Sequence, residues 1–97
     1  MKMLQFFGEA VTAADYKGLQ DGVVQARLVL LLSGYDPERA LAAFKRQNDI
    51  PFAVRLAACE GIAEYQDRAA KGRTWPLYRW VDEALRTMLR EAKRKAA

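Results

Sequence analysis

The hydrophobic positions in the last quarter of the chain repeat with a helical period. Leu77, Trp80, Val81, Ala84, Leu85, Met88, Leu89 and Ala92 follow the i, i+3, i+4, i+7 rule and so share one face of an α-helix. At 100° per residue the opposite face collects Arg79, Arg86, Arg90, Lys93 and Arg94 in a stripe about 100° wide, with Asp82 and Glu83 beside it. One face is patterned to pack and the other to present cations.

Three helix starts are written alike, a short polar residue followed by proline, whose missing N–H would be unpaired in a first turn anyway. Asp36 precedes Pro37, Asn48 and Asp49 precede Pro51, and Thr74 precedes Pro76. These signals predict helices over about 37–48, 51–71 and 76–95. Upstream, "GLQDGVVQARLVLLLSGY" reads as a helix ending at Ser33 and Gly34, because glycine is the usual residue just past a helix end. The run Leu28 to Leu32 alone would suit a buried strand, but no partner strand is visible elsewhere. In the first fifteen residues Leu4, Phe7, Val11 and Ala14 suggest another short helix, broken near Gly18.

In the middle helix Phe52, Leu56, Cys59 and Ala63 line one face, and Val54, Ala58, Gly61 and Tyr65 nearly the opposite one. That predicts a helix sandwiched between neighbours, with Ala58 and Gly61 allowing a close approach. Between the two faces runs an acidic strip of Glu60, Glu64 and Asp67, suited to water or to the basic surface of a second copy. The expected fold is therefore all-α, a compact bundle of four to five helices with short connections, in a single domain over 1–97. Its expected core holds Leu28, Leu31, Leu32, Leu41, Phe44, Phe52, Leu56, Ile62, Trp80, Val81, Leu85 and Met88.

Composition agrees with a folded chain: 97 residues at 52% hydrophobic and 29% charged make one core and depart from the signature of disorder. The longest uninterrupted aliphatic run, Leu28 to Leu32, is far too short to span a bilayer. Gln5, Gly8 and Glu9 interrupt any signal-peptide core, so the expectation is a soluble, unprocessed protein. A single cysteine, Cys59, excludes an intramolecular disulfide and points to a reducing cytoplasm.

The net charge of +4 conceals a split along the chain. Residues 1–67 hold seven Lys/Arg and nine Asp/Glu, or −2, whereas residues 68–97 hold nine and three, or +6. Such asymmetry points to nucleic acid, a membrane surface or an acidic partner. Lysine and arginine near a helix C-terminus also complement its dipole, and a solvated face needs charge. That ordinary reason accounts for the tail but leaves Arg79 and Arg86, further up the helix, unexplained. Trp75, Tyr78 and Trp80 cluster beside Arg73 and Arg79, a combination able to stack on unpaired bases or to anchor a protein interface.

Catalytic chemistry is hard to assemble. The chain has no histidine, Ser33 lies in a turn without a base, and no glycine-rich phosphate loop is present. Cys59 sits on an apolar face, and Glu60 with Glu64 lacks the histidine that a di-metal bundle site uses. The expectation is a non-enzyme without metal or cofactor. A helix-turn-helix over 19–48 fits poorly, because its second helix would open with Asp36 and Glu38 facing phosphates. A plain helical hairpin fits better.

Two short stretches have family echoes. "FKRQNDIP" resembles a segment of the theta subunit of bacterial replicative polymerase, and "SGYDPERA" with "IPFAVRLAACEGIAEYQ" is similar to segments of phage small terminase subunits. Each covers a small part of the chain and largely repeats helix-end patterning, so neither assigns a family or a residue role.

The leading functional expectation is a small accessory protein that contacts the phosphate backbone of nucleic acid, or a nucleoprotein assembly. The contact residues are Arg73, Arg79, Arg86, Arg90, Lys93, Arg94 and Lys95, with Trp75 and Tyr78. The alternative is a protein-binding adaptor or inhibitor, phage or mobile-element encoded and able to form a homo-oligomer. It would dock the same cations on an acidic protein surface, with Trp75 and Tyr78 as anchors.

Overall fold

The computed structural model of the protein describes residues 16–96. It contains four helices and, among the described residues, no strand: α1 (Tyr16–Leu32), α2 (Pro37–Arg46), α3 (Phe52–Ala70) and α4 (Leu77–Ala96). The all-α bundle expected from the hydrophobic pattern is what the chain forms. The helix expected in the first fifteen residues lies outside the described residues. Gly18 is no break, since α1 runs through it.

Local chemistry explains the boundaries. α1 ends in a Schellman arrangement: the Tyr35 N–H donates to the Leu30 carbonyl at 3.1 Å and the Gly34 N–H to the Leu31 carbonyl at 2.9 Å, with Gly34 at φ +68°. Asp36 then caps α2, its carboxylate accepting from the Arg39 N–H at 2.9 Å, and Pro37 supplies the first turn. α3 starts at Pro51 without a side-chain cap. Thr74 does not cap α4; its hydroxyl accepts a hydrogen bond from the Trp80 indole N–H at 2.6 Å.

α3 lies at the centre, packed on α4 most extensively and on α1 and α2 as well. Its buried side is built from small residues, Ala53, Val54, Ala57, Ala58, Gly61 and Ile62. Gly61 is where α4 comes closest. A Cβ at that position would stand 2.7 Å from the Val81 Cα and 2.9 Å from the Trp80 carbonyl oxygen. The close approach anticipated at Ala58 and Gly61 is thus realised, and it sets the depth at which Val81, Leu85 and Met88 enter the core. Phe44, Leu19 and Ile62 complete the largest buried side chains.

The expected core is corrected at four residues. Leu28, Leu31, Leu32 and Phe52 are exposed, Leu32 at 79%. Five consecutive apolar residues at 100° per residue cannot all face inward, and packing selects the row Leu19, Val23, Ala26 and Leu30. Leu28, Leu31 and Leu32 are turned out. In α3 the Val54–Ala58–Gly61 side is buried and the Phe52–Ala63 side faces outward, with Leu56 and Cys59 half-buried. The helix packs on three neighbours, but over about half of its circumference, so the Phe52–Ala63 side is less covered than expected. Leu41 and Trp80 are half-buried, whereas Phe44, Ile62, Val81, Leu85 and Met88 lie in the core as expected.

Candidate polyanion-binding face

The cationic stripe exists as patterned. Arg79, Arg86, Arg90, Lys93 and Arg94 are all exposed along the outer side of α4, opposite Val81, Leu85 and Met88. The same helical phase excludes Lys95, which is exposed but projects about 150° around the helix from the stripe centre. Arg73, in the connection before α4, is exposed as well.

The stripe is partly occupied by the protein's own carboxylates. Arg86 Nε donates to Asp82 at 2.7 Å, Arg90 Nη2 lies 3.4 Å from Glu83, and Arg94 Nη2 donates to both Glu91 oxygens at 2.6 and 2.7 Å. Among the described residues Arg73, Arg79, Lys93 and Lys95 have no carboxylate partner. Exposed ion pairs contribute roughly 0–1 kcal/mol, so an approaching phosphate can replace these carboxylates at small cost. The paired arginines hold their guanidinium groups along the face instead of leaving them to sweep solvent.

Asp82 joins two helices. Besides Arg86 it accepts from Arg27 of α1 at 2.8 Å. Burial alone would raise its pKa, but the hydrogen bonds from Arg86 and Arg27 outweigh that and hold its carboxyl below the ordinary value. Sequence spacing reveals the Asp82–Arg86 pair at i, i+4. Nothing in the sequence announces Arg27, which is 55 positions away.

The three aromatics do not form one cluster. Arg79 lies over the Trp75 ring at 4.1 Å, the Trp75 and Trp80 centroids are 4.5 Å apart, and Arg68 lies over Trp80 at 5.7 Å. This ladder, pinned by the Trp80–Thr74 hydrogen bond, fastens the connection before α4 to the end of α3. Arg68 also pairs with Glu64 at 2.9 Å. Of this ladder the sequence shows only Trp75 and Arg79, four positions apart; Arg68 is brought to Trp80 by the fold. Tyr78 projects from the other flank of α4 and meets Tyr35 edge-on, with centroids 6.4 Å apart. Trp75 and Tyr78 therefore make separate aromatic contacts, Trp75 with Trp80 and Tyr78 with Tyr35.

The acidic strip on α3 is also spoken for in large part. Glu64 pairs with Arg68 and Asp67 with Lys71, leaving Glu60 exposed. Cys59 is half-buried and burial pushes its thiol pKa up, the opposite of an activated nucleophile. Among the described residues no three or more Asp, Glu, Cys or His side chains gather to hold a metal, and no helix is long and apolar enough to cross a membrane. Comparison with protein-family models, with curated proteins and with solved structures yields no match, so the reading of this face rests on its geometry.

Proposed function

We propose that this protein is a small, non-catalytic cytoplasmic accessory protein that binds nucleic acid through the phosphate backbone. The observation that carries the reading is the exposed row Arg79, Arg86, Arg90, Lys93 and Arg94 on one side of α4, with Arg73 beside its start. Each cation that replaces a condensed counterion contributes affinity at low salt and loses it as salt rises. Flexible cations contact phosphates and not base edges, so the expected binding has little sequence preference. Stacking of bases on Trp75 is a minor part of the proposal, because Arg79 and Trp80 already lie against that ring.

Fluorescence anisotropy of labelled duplex DNA, single-stranded DNA and RNA at 50 and 200 mM salt tests this. With about five phosphate contacts, affinity should fall by roughly two to three orders of magnitude between those conditions. Equal affinity at both, or no binding at the lower one, refutes the proposal.

A second reading, a protein-binding adaptor, draws support from a different surface. Val24, Leu28, Leu31 and Leu32 of α1 and Tyr35 in the turn after it are exposed, an apolar face of the kind that marks protein contacts. In the acidic-partner version Trp75, in the connection before α4, and Tyr78, on α4, would contribute through separate aromatic pairs.

A further inference from the structure

We infer that the outward face of α1 is the interface of a twofold homodimer. Val24, Leu28, Leu31, Leu32 and Tyr35 are 64%, 56%, 52%, 79% and 46% exposed. Helical phase gathers Val24, Leu28, Leu31 and Leu32 into an arc about 100° wide, facing away from the buried row Leu19, Val23, Ala26 and Leu30, and Tyr35 follows in the turn after the helix. Together with Tyr78, 56% exposed at its edge, they present roughly 600 Å² of surface, at the top of the range of the largest apolar patch on a monomer. A standard interface buries about 800 Å² per partner, of which this face would form the greater part.

The form of the surface indicates a second copy as the occupant. Beside the leucine ridge is a hollow of about 200 Å³, floored by Leu30, Val81 and Leu85 and walled by Tyr35, Tyr78 and the Arg27–Asp82 ion pair. A ridge and a hollow with an apolar floor on the same surface are self-complementary. A twofold axis across α1 lets the ridge of each copy enter the hollow of the other, and the contact closes at two subunits. Tyr35 is set for this by its backbone: it is in the left-handed region at φ 57°, a conformation disfavoured for a non-glycine residue, and from there its ring meets Tyr78 at the hollow's mouth.

Charge permits the same arrangement. The charges on this phase, Lys17 and Asp21 at its N-terminal end, are paired with each other at 3.4 Å, as are Arg27 and Asp82 beside the ridge at 2.8 Å, so closure leaves no buried charge alone. The cations of α4 are centred about 110° around that helix from Tyr78, outside the contact. The inference therefore stands independently of nucleic-acid binding.

The test is sedimentation velocity of the full chain from about 1 µM to about 1 mM, spanning the affinities at which dimers of this size form. The expected result is a concentration-dependent species of twice the 11.0 kDa chain mass. Leu31→Glu should shift that equilibrium to monomer by at least tenfold in concentration, with unchanged circular dichroism because Leu31 packs against nothing in the core. Leu28→Glu is the second variant, used if Leu31→Glu loses helicity. A monomer throughout the range overturns the inference; dye binding to that monomer then distinguishes a face open to another protein from one covered within its own chain. A dimer that survives a folded glutamate variant overturns it equally.

Discussion

Gly61 is the residue on which the packing of this bundle turns. The obstacle to a side chain there is α4 backbone, the Val81 Cα at 2.7 Å, which cannot rotate aside as a side chain would. Gly61→Ala should therefore lower stability by about 2–3 kcal/mol, at the upper end of overpacking costs, through a reduced urea midpoint at nearly constant m value. Gly34 makes the useful contrast, since nothing lies within 4 Å of a Cβ there and only its φ of +68° resists substitution. Gly34→Ala should cost about 1 kcal/mol.

Asp82 supports a prediction at the same scale. Its folded pKa is below the unfolded value, so its contribution is complete above the ordinary aspartate pKa, about 3.9, and is lost as pH falls through the folded value. Asp82→Asn should lower stability at neutral pH by about 0.5–1 kcal/mol, a modest figure because both arginine partners are more than half exposed. That deficit should shrink at acid pH, as pH falls below the ordinary aspartate value and through the folded one. Denaturant titrations of both proteins at neutral and acid pH check it, and a deficit independent of pH would exclude the carboxylate as its origin.

Among the elements, α4 was the most legible and α1 the least. α4 alternates one apolar and one cationic side through five turns, so its phase, its buried face and the membership of the stripe can be read from spacing alone. Lys95 departs because the same arithmetic, applied strictly, turns it away from the stripe. The element therefore makes a graded prediction: replacing Arg79 or Arg90 with Ala should reduce the slope of log affinity against log salt by about one each. Lys95→Ala should change it less. Equal effects at all three positions would mean that binding senses net charge and not this face. Trp75→Ala belongs to a different effect, since the ring holds the connection before α4 in the Arg79–Trp75–Trp80–Arg68 ladder. It should lower the unfolding midpoint while leaving the salt slope of binding nearly unchanged.

For the molecule as a whole, the arrangement separates two surfaces. α3 takes the centre with its row of small residues, α4 packs on it and turns its cations outward, and α1 turns its leucines outward on the Tyr35–Tyr78 side. A dimer closed through α1 leaves both cationic faces open. Two such faces on one particle should bind a long polyanion more tightly than a short one. Leu31→Glu should remove that length dependence while retaining salt-sensitive binding to short oligonucleotides, compared by anisotropy on probes of two lengths. Loss of short-probe binding in the folded variant would show that the two surfaces are not independent.

The sequence by itself determined the helices of the described chain, their ends at Gly34 and Asp36, and the two faces of α4. These are local matters, governed by capping chemistry, proline geometry and a period of 3.6 residues. Tertiary structure decided which side of α1 and α3 is buried. Both helices are apolar on more than one side, and intrinsic periodicity cannot rank two apolar faces. The choice fell to the small residues of α3, because the backbones of neighbouring helices can approach only where Ala57, Ala58 and Gly61 leave room. With α4 against Gly61, Leu30 is buried and Leu28, Leu31 and Leu32 lie outside. Only the folded chain, too, could bring Arg27 to Asp82 and separate Trp75 from Tyr78.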